Sequence, residues 1–122
     1  MHKVLIIDDE PPYRKIYQRK FEVSGYEATT AENGQEGLEK MRSFKPDIVF
    51  CDLMMPMLDG FQLLDQAKAD PELNTIPIVV LTNLSTTDDA QKVIQKGAAA
   101  ILVKSDTEPT AIIDKAKEIL GQ

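Results

Sequence analysis

The chain is poor in the features that staple or anchor a protein. Cys51 is its single cysteine, which rules out an intrachain disulfide and fits a reducing compartment. No apolar run approaches the ~20 residues that a membrane-spanning helix needs. The N-terminal apolar run stops at Asp8-Asp9-Glu10, too short and wrongly flanked for a signal peptide. No stripe of lysines and arginines is interleaved with aromatics, which argues against direct nucleic-acid binding. Neither a P-loop nor G-x-G-x-x-G occurs, so nucleotide and flavin binding have no anchor. His2 is a lone terminal histidine and no candidate for catalysis. What remains is the expectation of one soluble, cytoplasmic domain spanning residues 1–122, without membrane contact.

Composition is ordinary in amount, with 43% apolar and 28% charged residues. Placement is not. Twenty acids against 14 bases give a net charge of −6, and part of that charge is concentrated. The apolar run Ile48-Val49-Phe50-Cys51 ends in Asp52, and Val4-Leu5-Ile6-Ile7 ends in Asp8 and Asp9. Continuous apolar runs of this length read as strands buried on both faces of a parallel sheet. An acid at the end of such a strand lies at the carboxyl edge, where open α/β sheets place their sites.

The rest of the chain alternates in the same way. Lys3–Ile7 reads as the first strand. Pro11-Pro12 opens a helix whose Tyr13, Ile16, Tyr17 and Phe21 recur at helical spacing, stopped by Ser24-Gly25. Glu27–Thr30 is a second strand. Asn33-Gly34-Gln35-Glu36 matches a capping box for a helix that buries Leu38 and Met41 and ends at Lys45-Pro46. After the third strand, Asp59-Gly60-Phe61-Gln62 resembles another cap, with Leu63, Leu64 and Ala67 on one side of its helix. Ile76–Leu81, closed by Thr82, is a fourth strand. Ser85–Asp88 caps a helix carrying Ala90, Val93, Ile94 and Gly97. Ala98–Val103 is a fifth strand with Lys104 at its end, and Thr107 caps a last helix burying Ile112, Ile113, Ala116, Ile119 and Leu120.

Strict alternation forces parallel strands joined by right-handed crossovers. The expected fold is α/β, a doubly wound five-stranded parallel sheet of flavodoxin-like order 2-1-3-4-5 with helices on both faces. That order makes the first and third strands neighbours. Asp8, Asp9 and Asp52 then converge, with Thr82 and Lys104 arriving beside them.

Carboxylates so placed repel; at about 4 Å and an effective dielectric near 20, each pair costs roughly 4 kcal/mol. Such a cluster persists by protonation, by exposure or by holding a cation. Oxygen-only ligands favour Mg²⁺. Lys104 offers a compact positive charge for a phosphoryl oxygen, and Thr82 a hydroxyl donor. Metal, ammonium and hydroxyl together suit phosphoryl transfer, with Asp52 able to act as nucleophile. Taken singly, each has a plainer reading: Asp52 a loop carboxylate, Asp8-Asp9 a solvated turn, Lys104 surface charge, Thr82 a cap. Met54, Met55 and Met57 read as loop packing, since thioethers do not suit a hard-oxygen site. Cys51 reads as a small buried apolar residue.

Together these residues resemble the receiver domain of the two-component response-regulator family, in its single-domain, chemotaxis-regulator-like form. The resemblance rests on Asp8-Asp9, on Asp52 in D-L-M-M-P-x-x-D-G, on Thr82, and on Lys104 after G-A-x-x-x-L-V-K. It covers essentially the whole chain. It implies that Asp52 is a phosphoacceptor, that Asp9, Asp52 and the backbone carbonyl of Met54 ligate Mg²⁺, and that Asp8 helps through water. Thr82 and Lys104 would bind the phosphoryl oxygens. The implied donor is a sensor histidine kinase or phosphotransfer protein, or a small acyl phosphate. The implied output is a shift in the face built from the fourth helix, fifth strand and fifth helix. No output domain is expected after Gln122, so the signal would pass by binding to a downstream effector protein, to another receiver as a dimer, or by onward phosphotransfer; were the chain part of a longer protein, a fused output would take its place. Such a chain is a switch rather than an enzyme with a separate substrate.

Three places depart from the family pattern. Ser105 stands where proline usually follows the lysine in a cis peptide. Ile101 stands at the aromatic switch position, so ring rotation coupled to Thr82 is not the readout. Met54 and Leu84 are apolar at positions that flank the path of the hydrolytic water, which predicts a long-lived acyl phosphate. Two rival functions follow. A pseudo-receiver that binds partners without phosphorylation draws on Ser105 and Ile101, and the intact acidic cluster argues against it. A phosphohydrolase with an aspartyl nucleophile needs a second acid to activate water, and Met54 and Leu84 supply none.

Overall fold

The computed structural model describes residues 2–83, 87–104 and 108–121. Its elements, in chain order, are β1 (Lys3–Ile7), α1 (Pro11–Val23), β2 (Glu27–Ala31), α2 (Gly34–Phe44), β3 (Ile48–Asp52), α3 (Gly60–Ala69), β4 (Ile78–Thr82), α4 (Thr87–Gln95), β5 (Ala100–Val103) and α5 (Pro109–Leu120). The strands are parallel, as the alternation requires, and lie in the expected order β2-β1-β3-β4-β5. No helix among the described residues is long and apolar enough to cross a membrane.

Residues of opposite parity along each strand feed two separate cores, because successive side chains leave a strand on opposite faces. Leu5, Ile7, Val49, Cys51, Ile78 and Val80 pack with Leu38, Met41, Leu63, Leu64 and Val93 of α2, α3 and α4. Val4, Ile6, Ile48, Phe50, Val79 and Leu81 pack with Tyr17, Phe21, Ile112, Ile113 and Ala116 of α1 and α5. The inner strands β3 and β4 are buried at every position.

Local chemistry explains the boundaries. Asp59 and Gln62 form a full capping box at α3. At α2 only half of the expected box forms: Asn33 accepts from the Glu36 amide, while the Glu36 carboxylate accepts from Glu32 N instead of the cap residue. Lys45 ends α2 in the left-handed region at φ 52°, where the proline that follows leaves no helical alternative. Strand β4 starts two residues later than its apolar run, since Ile76 N turns back to the Leu73 carbonyl and Pro77 has no N–H for a ladder. Strand β5 likewise starts at Ala100, because Ala98 N is still bonded to the Val93 carbonyl as the chain leaves α4. Ile16 and Ile94, which share the helical spacing of their apolar neighbours, are nonetheless 48% and 49% exposed. The caps assigned to Ser85 and Thr107 lie outside the described residues, and α5 opens at Glu108 with Pro109 in its first turn.

Candidate functional site

The register sets the site. Ile7 pairs with Cys51, so Asp8 and Asp52 each take the next step at the carboxyl edge, at the same level on adjacent strands. The Asp8 amide continues the ladder to the Ala31 carbonyl at 3.0 Å. Thr82 pairs with Val103, and Lys104 follows immediately. Four polar residues, Asp8, Asp52, Thr82 and Lys104, are thereby buried at one end of an otherwise apolar sheet.

Lys104 holds the centre. Its ammonium lies 2.7 Å from Asp8 Oδ2, 3.0 Å from Glu10 Oε2 and 3.3 Å from Asp52 Oδ2. The other Asp52 oxygen accepts from the Leu53 amide at 2.8 Å, and Asp8 Oδ1 accepts from the Glu10 amide at 2.9 Å. The Asp8 contact is an ion pair without hydrogen-bond alignment. Asp8 Oδ2 is thus the one buried side-chain oxygen among the described residues with no hydrogen-bond partner.

Burial pushes the Asp52 carboxyl up to about 6; the charge of Lys104 pulls against this and that of Asp8 adds to it. Burial also raises Asp8, against the opposing pull of Lys104. For Lys104, burial disfavours the charged form, but contacts with Asp8 and Glu10 and the charge of Asp52 outweigh it and hold the ammonium above its ordinary value. Burial, with Asp52 next, raises the thiol of Cys51 well above its usual range, leaving it a packing group.

A cavity of about 220 Å³ opens over these groups, lined by Asp9, Glu10, Asp52, Met54, Thr82, Asn83 and Lys104. Asp9 is exposed on its rim, whereas Asp8, Glu10 and Asp52 bring one carboxylate oxygen each within 4.8 Å of one another. This acidic group could hold a metal ion. Gly60 lets α3 begin directly against the acceptor strand: a Cβ there would stand 2.8 Å from the Asp52 carbonyl and 2.9 Å from Leu53 Cα.

Asp8, Asp52, Thr82 and Lys104 therefore meet at this edge, with Asp9 and Met54 on the cavity wall. Met54 is 56% exposed. Ile101 is half-buried and packs against the core on the α2–α4 side. Leu84, Ser105 and the Lys104–Ser105 peptide lie outside the described residues. Glu10 was missed by the sequence reading. Its signal is subtle: it occupies the cap position of α1, yet the next two residues are prolines without N–H groups, and its own carbonyl accepts from Tyr13 N. With nothing left to cap, its carboxylate turns to Lys104.

Comparison with known proteins agrees with this architecture. A family model of the response regulator receiver domain matches residues 4–117. The chain is 34% identical to protein PilH of Pseudomonas aeruginosa over 112 residues, covering 92% of this chain and 93% of that one. It is 37% identical to ycf27 of Guillardia theta over 102 residues, 84% of this chain, and spans only 39% of that longer relative. Among solved structures, the chemotaxis protein CheY4 of Vibrio cholerae superposes with a TM-score of 0.90 at 28% identity, covering 98% of each chain. A match over this span, with the same strand order beneath it, means that the chain belongs to the response regulator receiver domain family of two-component signalling.

Proposed function

We propose that residues 1–122 act as one cytoplasmic phosphoacceptor switch in which Asp52 receives a phosphoryl group from a histidine kinase or phosphotransfer protein. One observation carries this reading: carboxylates from the ends of β1 and β3 share a single buried ammonium from the end of β5. Such an arrangement buries an excess of negative charge, a cost that a bound cation would offset.

The metal that family members typically bind fits the residues present. The carboxylates of Asp8, Asp9, Glu10 and Asp52 outnumber the single ammonium of Lys104, an excess of negative charge that a divalent cation would offset. Asp8 Oδ2, which has the charge of Lys104 beside it but accepts no hydrogen bond, suits a metal-bound water. Asp9, Asp52 and the Met54 carbonyl would hold Mg²⁺, with Asp8 acting through water, and the ion would neutralise charge on the phosphoryl oxygens. The protein's own part is positioning. An Asp52 carboxylate oxygen bonds to phosphorus as the phosphorus–nitrogen bond of the phosphohistidine breaks; the bond pair stays on the imidazole, which then takes a proton from solvent. Lys104 follows the new dianion, and Thr82, at the end of β4 on the same cavity, supplies a hydroxyl to it.

The output in this reading is a population shift of the face made by α4, β5 and α5, for which differential contacts of roughly 1–3 kcal/mol suffice. A downstream effector, or a second receiver, would read that face. The donor would dock on α1, where the sidewall beside Pro109 exposes Ile16 and Val23 among Lys15, Arg19 and Lys20. That basic, apolar strip stands out on a chain of net charge −6.

The test is intact-mass analysis after incubation with acetyl phosphate and Mg²⁺. A single alkali-labile phosphoryl adduct is expected, absent from Asp52→Ala and absent when a chelator removes the metal. If neither a small donor nor a phosphohistidine protein labels the chain while it still binds a partner, the pseudo-receiver reading replaces this one.

A further inference from the structure

We propose that Tyr13 is a positioning residue for Lys104, holding the ammonium within reach of Asp52 through its ring face; this rests on the reading of Asp52 as phosphoacceptor. The Lys104 ammonium stands 4.1 Å from the centroid of the Tyr13 ring. The same nitrogen meets Asp8, Glu10 and Asp52, and the residue is only 4% exposed.

Lysine reaches this point on a flexible four-carbon stem and binds as a point charge, without the geometric lock of a guanidinium. Its two shorter contacts are to Asp8 and Glu10, and the Asp52 contact is the longest at 3.3 Å. The Glu10 side chain is half exposed and could draw the ammonium outward, away from the acceptor. A ring face opposes this. It attracts the cation through its quadrupole, excludes water from that side, and makes no demand on the N–H bonds that oxygen ligands need. The attraction also survives the exchange of one oxygen partner for another, as phosphorylation of Asp52 requires.

The local sequence places the ring. Pro11 and Pro12 start α1 directly after Glu10, so positions 10 and 13 lie either side of the first turn and flank one ammonium. The Tyr13 ring in turn leans on Tyr17, with centroids 5.7 Å apart, and Tyr17 is buried at 3% exposure. The support therefore rests on the core and not on a free side chain.

The test combines a structural and a kinetic reading on Tyr13→Phe and Tyr13→Leu. In unphosphorylated protein, the Lys104 ε-methylene protons, assigned by their loss in Lys104→Arg, should be shifted upfield by the ring. The shift should persist in the Phe variant and vanish in the Leu variant. Phosphorylation by acetyl phosphate at saturating Mg²⁺ should slow by about tenfold in the Leu variant, while Phe restores it to within about twofold of the wild type. Thermal melting of each variant separates loss of fold from loss of positioning. No upfield shift in the wild type overturns the inference, and so does a folded Leu variant labelled at the wild-type rate. A wild-type protein that takes no label from any donor defeats the acceptor reading and the positioning role together.

Discussion

Asp52 has conflicting electrostatic neighbours, and its titration exposes the conflict. Its folded carboxyl sits at about 6 against an ordinary 3.8, chiefly from burial, and Asp8 is raised in the same direction. A carboxyl raised on folding binds its proton more tightly in the native state. The stability it lends is full below about 4 and is lost as pH rises through about 6. Metal-free protein should therefore be more stable near pH 5 than near pH 7 by about 1.3 kcal/mol from Asp52, read as a higher melting temperature, and Asp52→Asn should flatten most of that slope. A wild-type melting temperature that falls on acidification over this range would show the cluster to be better solvated than its burial implies. Met54, on the cavity wall beside Asp52, leads to a second prediction. Replacing Met54 by Asn together with Leu84 by Glu should shorten the lifetime of the acyl phosphate, followed as loss of the adduct in intact mass; an unchanged rate means that these apolar side chains do not keep the hydrolytic water away. Asp8, Asp52 and Lys104 were legible in the sequence because each ends an apolar run. Glu10 and the ring of Tyr13 were not, since their partner is a lysine some ninety positions away, and only the register of β4 and β5 brings it near.

Helix α1 joins the site to the surface. Tyr17 and Phe21 are buried, Tyr13 is half-buried beside Lys104, and Ile16 lies outside this stripe with Val23. Ile16→Glu should consequently slow phosphoryl transfer from a phosphohistidine protein by about tenfold or more, as loss of an interface anchor does. It should leave labelling by acetyl phosphate unchanged, because the small donor needs no docking surface. Equal slowing with both donors would relocate the effect to the site itself. The spacing of apolar residues along α1 and α4 correctly marked the elements, but could not tell the centre of a helix stripe from its margin. Ile16 and Ile94 fall at that margin, where burial depends on what the neighbouring helix covers. Strand ends shifted for a related reason: an apolar run records which side chains like the interior, while the ladder stops where Pro77 or the turn after Gly97 withdraws a backbone partner.

Across the whole molecule, the sheet divides two cores, and the charged site caps the line where they meet. A cation bound only by the native arrangement stabilises the entire fold by mass action, about 1.4 kcal/mol at ten times its Kd. For a domain of this size that is a rise of several degrees in Tm, expected on adding Mg²⁺ and reversed by a chelator. Asp9→Asn and Asp52→Asn should each blunt it; an unchanged Tm in wild type would set aside the proposed ligand set. Alternation made the parallel sheet legible and left few strand orders open, of which the flavodoxin-like one is found. The outermost strands also matter for association. At one side of the sheet β2 starts with exposed Glu27 and keeps its middle residues only half buried, and at the other β5 has only four residues. A short or charged border gives a foreign strand little to zip against, which is how soluble sheets avoid fibrous growth. Copies of this chain that meet at high concentration are therefore not expected to extend one another's sheets.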